Sequence, residues 1–215
     1  MIKTILSYFW TITKRVPSDY SGELEITLYR GKKVLDTKNA NYSYGALQKI
    51  IKKGLDEIDL NDIQSVLILG MGAGNIIQSL RNDYTYQKKI DAVEIDKKII
   101  KIAKNEFGIL PNKDTNIIND DAHHFLEEST KQYDLIVVDI FIDTKVPEQF
   151  YTASFGNQLK QHLSKKGIVL FNLGMNIDKG DKAFGMVKYF KKNKFNTKVM
   201  EKVERFNTLL IAKAL

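Results

Sequence analysis

Residues Glu23 to Tyr29 alternate. Leu24, Ile26 and Leu28 fall on one side and Glu23, Glu25 and Thr27 on the other, the period of two expected of a half-buried strand. Arg30-Gly31-Lys32-Lys33 supplies a turn and Val34-Leu35 begins a return strand, so residues 1–43 are expected to form a small β-hairpin unit over an edge or mouth of the remaining chain. The period then lengthens: Tyr44, Leu47, Ile50, Ile51 and Leu55 recur at helical spacing, with Gly54 near the end. Ser65 to Leu69 is a short, wholly apolar run, as a strand buried on both faces requires, and Gly70 to Gly74 breaks it before Ile76, Ile77 and Leu80 open a helix. The alternation continues with a strand over Ile90–Ile95, a helix carrying Ile99, Ile100 and Ala103, a short strand at Asn116-Ile117-Ile118 and a brief helix over His124–Glu128. Tyr133–Asp139 is the fourth strand, Gln149–Leu163 a helix, Gly167–Asn172 the fifth strand and Ala183–Phe190 the last helix. Two β-rich segments come after it, Thr197–Val203 and Thr208–Ala212, which predict a terminal antiparallel hairpin.

Strand–helix alternation of this kind predicts an α/β fold: a mostly parallel sheet with helices on both faces, because right-handed crossovers place them there. No repeat, low-complexity tract or linker interrupts residues 44–215, which are expected to form one domain behind the N-terminal unit.

Composition narrows the chemistry. The 215 residues include no Cys, which excludes disulfides, thiolate metal sites and cysteine nucleophiles, and the three His are too few for a histidine-rich metal centre. No metal is expected. No apolar run approaches the roughly 18 residues that span a bilayer, and the first sixteen residues lack a small-residue cleavage site, so a cytoplasmic protein without membrane attachment is expected. The formal net charge is +7, from Lys scattered over helix faces as in Lys97-Lys98 and Lys191-Lys192-Asn193-Lys194. That distribution reads as a solvated surface, and no stripe of Arg and aromatic residues argues for nucleic acid as a partner.

Three features in order carry the chemical signal. In VLILGMGAGN, the turn Gly70-Met71-Gly72-Ala73-Gly74 lies between a buried strand and a helix, where glycine lets a ligand approach the backbone. Glu94, with Ile95, ends the next strand and can accept hydrogen bonds from both ribose hydroxyls of an adenosine, while Asp96 is placed to cap the following helix. Asp121, with Ala122, comes after the third strand, where its carboxylate can meet an adenine amino group or cap a helix; both readings stand. Ile77 occupies the place of the third glycine of a dinucleotide fingerprint, which favours a single adenosyl ligand over a dinucleotide. His123-His124 opens a short helix, where a surface pair and a general base are both conceivable.

VLILGMGAGN, AVEIDKKIIKIAKNEF, INDDAHHFL, YDLIVVDIF and LKQHLSKKGIVLFN, with GELEITLYRGKKVLDT ahead of them, resemble the spermidine synthase branch of class I methyltransferase-like proteins over about residues 20–175. The resemblance implies a Rossmann-like, seven-stranded methyltransferase sheet. It implies S-adenosylmethionine or its decarboxylated form bound by Gly70, Met71, Gly72, Ala73, Gly74, Glu94, Ile95, Asp121, Ala122 and Asp139, with methylthioadenosine or S-adenosylhomocysteine as product. It further implies transfer of an aminopropyl or methyl group to a small, amine-bearing acceptor, with Asp139 and Asp143 as catalytic carboxylates, Tyr44 and Glu148 against the acceptor, and a homodimer as an option. The pattern departs from the family in two places. Ala73 stands where these enzymes carry an Asp inside the glycine turn, and the second Asp of their D-S-S-D-P segment falls on Ile142, with Asp143 one residue later. A methyltransferase of another substrate, or a nucleoside-binding relative without catalysis, are the competing expectations.

Overall fold

The computed structural model describes residues 2–37, 41–43 and 46–215. A single-turn helix α1 (Ile2–Leu6) leads into a four-stranded antiparallel sheet of β1 (Ile12–Pro17), β2 (Glu23–Tyr29), β3 (Lys32–Thr37) and β4 (Asn41–Ser43), in that spatial order. The expected hairpin is β2–β3, paired from Leu24↔Thr37 to Tyr29↔Lys32. Strand β1 adds to it although its sequence hides the fact: ITKRVP is mostly exposed, as suits an edge strand with little to bury.

After α2 (Ala46–Leu55) the chain builds a seven-stranded sheet in the order β10-β11-β9-β8-β5-β6-β7. Its members are β5 (Ser65–Leu69), β6 (Lys89–Glu94), β7 (Thr115–Asn119), β8 (Tyr133–Val138), β9 (Leu163–Met175), β10 (Asn196–Val203) and β11 (Asn207–Lys213). Strands β9, β8, β5, β6 and β7 are parallel, and β10–β11 forms the expected antiparallel hairpin on β9. The helices are α3 (Asn75–Gln78), continued by a π turn over Ser79–Asp83, α4 (Lys97–Phe107), α5 (Ala122–Glu128), α6 (Ala153–Gln161) and α7 (Phe184–Lys192). The helix expected over Gln149–Leu163 is divided. A 3-10 turn over Glu148–Tyr151 precedes α6, and Thr152 separates the two because its Oγ1 accepts the Phe155 N–H as the α6 cap.

Alternate residues of each central strand feed opposite layers. Leu67 and Leu69 join Ile136, Val138 and Phe171 on one face, while Val66 and Ile68 join Leu135, Val137 and Leu170 on the other. A third, smaller cluster of Leu24, Ile26, Leu35, Ala73, Ile99 and Ile102 packs the N-terminal sheet onto α4 and the glycine turn. The N-terminal unit therefore shares a core with the larger domain rather than resting on its surface. Polar ties reinforce it: Asp96 accepts from the Ser18 hydroxyl and the Asp19 N–H, and the Lys33 ammonium pairs with Glu106 at 2.9 Å. Among the described residues no helix is long and apolar enough to cross a membrane.

Candidate active site

Parallel strands end their carboxyl edges together, and the crevice where chain connections diverge is where α/β folds bind ligands. Here the point lies between β5, whose following helix returns toward β6, and β8 on its other side. A cleft of about 960 Å³ opens there, lined by the ends of β5, β6, β7 and β8. Residues from the N-terminal sheet, α2 and the β10–β11 hairpin tip complete its walls.

Gly70, Met71 and Gly72 form its floor. Gly70 has φ 86°, and a Cβ there would strike the backbone carbonyl of Asp139, so β5 and β8 can approach this closely only with glycine. The N–H groups of Gly70 and Met71 both donate to the Val93 carbonyl at 3.0 Å, drawing the turn toward β6. Gly72 then donates to Glu94 Oε2 at 2.9 Å, and Asp96 N–H donates to Glu94 Oε1 at 3.0 Å. Glu94 is only 6% exposed. Burial pushes its carboxyl above the ordinary range, opposed by these backbone donors. Each of its oxygens holds one N–H and keeps acceptor capacity for a diol.

The other half of the turn does something different. Ala73 is fully buried in the cluster with Leu24, Leu35 and Ile99, and Gly74 (φ 90°) leaves room for Ile109, whose Cγ1 would lie 2.5 Å from a Cβ at 74. Neither residue is part of the cleft wall. Both were expected at a cofactor; the structure gives them packing roles, because the chain turns over at Gly72 and aims position 73 at the N-terminal sheet.

Asp121 lines the cleft with Ala122 and Ile95, and it also caps α5, its Oδ1 accepting from His123 N–H at 2.8 Å and His124 N–H at 3.3 Å. Its neighbour Asp120, also on the wall, holds the exposed His124 ring at 2.8 Å and raises that imidazole's pKa. His123 is half-buried, stacked on Phe150 with centroids 5.0 Å apart, its Nδ1 within 2.7 Å of Gln158. The pair is structural on one side and surface on the other.

Asp139, at the end of β8, is part-exposed at the bottom of the cleft. Desolvation pushes its carboxyl up to about 6, while a 2.9 Å hydrogen bond from Asn172 Nδ2 pulls the other way. Asn172 is itself fully buried and accepts from Asn207 Nδ2 at 3.0 Å, so the hairpin strand β11 buttresses the carboxylate through one intermediary. Asp143 also reaches the cleft. It adopts φ 54° in a tight turn closed by Ile142 and Lys145, and its Oδ1 accepts from Thr37 Oγ1 of β3 at 2.8 Å. The family's position for the second acid, Ile142, is 43% exposed on the cleft rim. Glu148 lies outside the wall and pairs with Lys182 at 2.6 Å, both side chains exposed, because the 3-10 turn directs it to solvent. Tyr44 lies outside the described residues.

Asn75, Asn172, Thr37 and the hairpin tip Glu204–Asn207 are contributors that sequence periodicity did not single out. Asn75 opens α3 directly after the glycine turn, and Asn172 is a polar residue inside the apolar run of β9; those placements are the signal that could have marked them. The hairpin tip reaches the site only through the return of β11 beside β9.

The electrostatics of the cleft oppose those of the whole chain. Glu94, Asp120, Asp121 and Asp139 come from strand ends, Asp143 from the loop after β8, Glu25 and Asp36 from the N-terminal sheet, Asp96 from the α4 cap and Glu204 from the hairpin. Among the described lining residues, Arg205 is the one cationic side chain, although the chain carries a net charge of +7.

Comparison with known proteins agrees with this architecture. A human methyltransferase-like protein 13 in complex with S-adenosylhomocysteine superposes with a TM-score of 0.63 at 22% identity, over 80% of this chain and 83% of that one. A probable spermidine synthase from Corynebacterium glutamicum superposes with a TM-score of 0.68 at 18% identity, over 95% of this chain and 77% of that one. At such identities these likenesses show the fold alone, a Rossmann-like methyltransferase fold. In sequence, a polyamine aminopropyltransferase of Clostridium beijerinckii is 32% identical over 113 residues, 51% of this chain and 39% of the relative. The chain spans less than two fifths of the length of the curated relatives it matches first. The model of the spermine/spermidine synthase domain matches residues 53–200, which hold the glycine turn, Glu94, Asp121, Asp139 and Asp143. With more than two thirds of its residues inside that match, the chain belongs to the spermine/spermidine synthase domain family.

Proposed function

We propose that this chain binds decarboxylated S-adenosylmethionine across the β5–β6–β7 strand ends and transfers its aminopropyl group to a small primary amine. The observation that carries the reading is the acidic cleft in a basic chain. A carboxylate-lined, partly enclosed cleft attracts cationic amines and disfavours a ligand bearing its own carboxylate. The residues present fit an adenosyl group: Glu94 offers the spare lone pairs of a rigidly held carboxylate to a ribose diol, Asp121 stands one strand farther out for the base, and Gly70 and Gly72 leave the floor open to close approach.

Asp139 does the proton work in this reading. With its pKa near 6 it is mostly ionised at neutral pH and basic enough to take a proton from the acceptor's ammonium or from its attacking nitrogen. The nitrogen then forms a C–N bond to the aminopropyl carbon next to the sulfonium. The C–S bond breaks, the sulfur keeps the electron pair, and neutral methylthioadenosine leaves. Asp143, steadied by Thr37, supplies a second carboxylate to hold the acceptor. Asn172 keeps Asp139 oriented and favours its charged form.

The experiment is to incubate the chain with decarboxylated S-adenosylmethionine and a panel of diamines, including putrescine, and to measure methylthioadenosine release. Amine-dependent release that falls at least a hundredfold in Asp139→Asn is expected, the loss of a general base. Burial of Ala73, which leaves no acid at the turn for the ligand's amine, favours one competing reading, methyl transfer from S-adenosylmethionine. Formation of S-adenosylhomocysteine with no methylthioadenosine would establish that reading instead.

A further inference from the structure

We propose that the tip of the N-terminal sheet docks on a lipid bilayer bearing anionic headgroups, a role beyond the proposed reaction and independent of it. Ile5, Tyr8, Phe9 and Trp10 are each between 59% and 74% exposed. With Leu6 and Tyr29 they make six of the twelve large apolar side chains left exposed among the described residues. Apolar residues exposed singly are ordinary, whereas a gathered patch marks a surface that meets a partner or an apolar phase. This patch is held in place. The Phe9 and Trp10 N–H groups both donate to the Leu6 carbonyl at 3.0 Å, which continues the turn of α1 as far as Trp10. Ser7, fully buried, fastens the segment to the β2–β3 turn: its carbonyl accepts from Arg30 N–H at 2.8 Å and its Oγ from Gly31 N–H at 2.9 Å. The Tyr8 ring lies against Gly31, so the exposed side chains form a knob at the end of the hairpin.

The charge around the knob selects the occupant. Beside Tyr29, a groove of about 1290 Å³ runs between the hairpin and α2, lined by Arg30, Lys32, Lys33, Lys49, Lys52 and Lys53. Lys33 and Lys52 pair with Glu106 and Asp83 at 2.9 Å, but Arg30, Lys32, Lys49 and Lys53 have no carboxylate partner among the described residues. Of the acids on the same wall, Glu106 is held by Lys33 and Asp56 accepts from the Tyr84 hydroxyl at 2.7 Å, which leaves Glu204. An anionic bilayer interface matches this combination. Aromatic rings settle at headgroup level, Ile5 and Leu6 reach the acyl chains, and the unpaired cations meet phosphate and carboxylate groups. Single-stranded nucleic acid would use the rings and the cations but has no place for Ile5 and Leu6. A second copy of this surface would set like charges against each other. No stretch of sequence displays the surface, because its parts come from residues 5–10, 29–33 and 49–53. The cleft lies toward the other end of the hairpin, where Thr37, paired with Leu24, meets Asp143; the strand from Leu24 to Tyr29 sets the knob about 17 Å away. Docking by the knob therefore leaves the cleft open to water.

Trp10 is the only tryptophan of the chain, so its fluorescence reports on the knob directly. The test mixes the full chain with vesicles of phosphatidylcholine alone and with vesicles that also contain phosphatidylserine, and follows Trp10 emission and co-sedimentation. With the anionic vesicles a blue shift and quenching by brominated acyl chains are expected, with partition about tenfold or more above that onto the neutral ones. The double variant Ile5→Ser, Phe9→Ser keeps the reporter and is expected to lower partition by about tenfold or more, as lost insertion of two apolar side chains requires. The triple variant Lys32→Glu, Lys49→Glu, Lys53→Glu is expected to lose the preference for anionic vesicles. All five positions are exposed, and should one variant fail to fold the other carries the comparison. No shift with anionic vesicles, or equal partition onto neutral ones, overturns the proposal. So does a shift produced by a single-stranded oligonucleotide instead of lipid, or one that grows with protein concentration in the absence of lipid; the first would assign the surface to nucleic acid and the second to another copy of the chain. None of these outcomes bears on methylthioadenosine release, so the proposed function stands or falls separately.

Discussion

Asp139 couples stability to the proposed proton transfer in one carboxyl group. Its pKa is raised from 3.8 to about 6 by desolvation, so between those values the folded chain holds a proton that the unfolded chain has released. Native stability is therefore lost as pH rises through about 4 to 6, and above that window the ionised group costs at most ~3 kcal/mol, reduced by water that reaches the cleft. Asp139→Asn is expected to gain stability over wild type across that same rise in pH and to keep the gain at pH ~8. Urea denaturation on either side of the window checks it; an advantage that shrinks with rising pH would contradict the sign. Under the proposed function the turnover of wild type should show an acid limb near pH 6, where Asp139 becomes protonated, and Asn172→Ala should move that limb upward, because the hydrogen bond it removes favours the charged form. Glu94 illustrates a different residue-scale lesson. Its carboxylate organises the glycine turn through Gly72 as well as facing the cleft, so Glu94→Gln, which presents a donor where two N–H groups need acceptors, should weaken nucleoside affinity by about tenfold or more in titration.

At the scale of elements, the glycine turn divides into two halves with separate jobs. Gly70–Gly72 opens to the cleft, while Ala73–Gly74 is sealed beneath β2, β3 and α4. Restoring the family's acid as Ala73→Asp would therefore bury a charge among Leu24, Leu35 and Ile99 with no partner. The cost is expected to be about 3 kcal/mol or more, measured as a lower denaturation midpoint with no gain in ligand affinity. A stable variant with tighter binding would mean that position 73 opens into the cleft. The elements themselves were largely legible from the sequence. The apolar runs Val66–Leu69 and Leu135–Val138, each four residues long and bounded by polar residues or glycine, read as strands buried on both faces, and the clean alternation of Glu23–Tyr29 as a half-buried one. Strand β1 was not legible, because an exposed edge strand has no apolar period to display. The division at Thr152 was hidden too, since a hydroxyl cap inside an apolar-periodic stretch leaves the period intact.

Across the whole molecule, charge is segregated: a net +7 overall, with acids gathered at one edge of the sheet. Global charge would repel a diamine, whereas field lines focused by the cleft attract it. If the cleft dominates, kcat/KM for a diamine should fall several-fold as ionic strength is raised from about 0.02 M to about 0.5 M, since screening weakens attraction over distances beyond roughly a Debye length. A rise with added salt would show that the surface lysines govern association instead.

Sequence by itself determined the α/β alternation, the position of the glycine turn and the identity of the acids at strand ends, because each is encoded in local periodicity and short-range spacing. It could not determine which way those residues face. That Ala73 turns into the core, that Glu148 turns to solvent and that Asp143 is held by Thr37 from a distant part of the chain are outcomes of packing between segments far apart in sequence. Local pattern sets what a segment can bury, and only the assembled sheet decides against what.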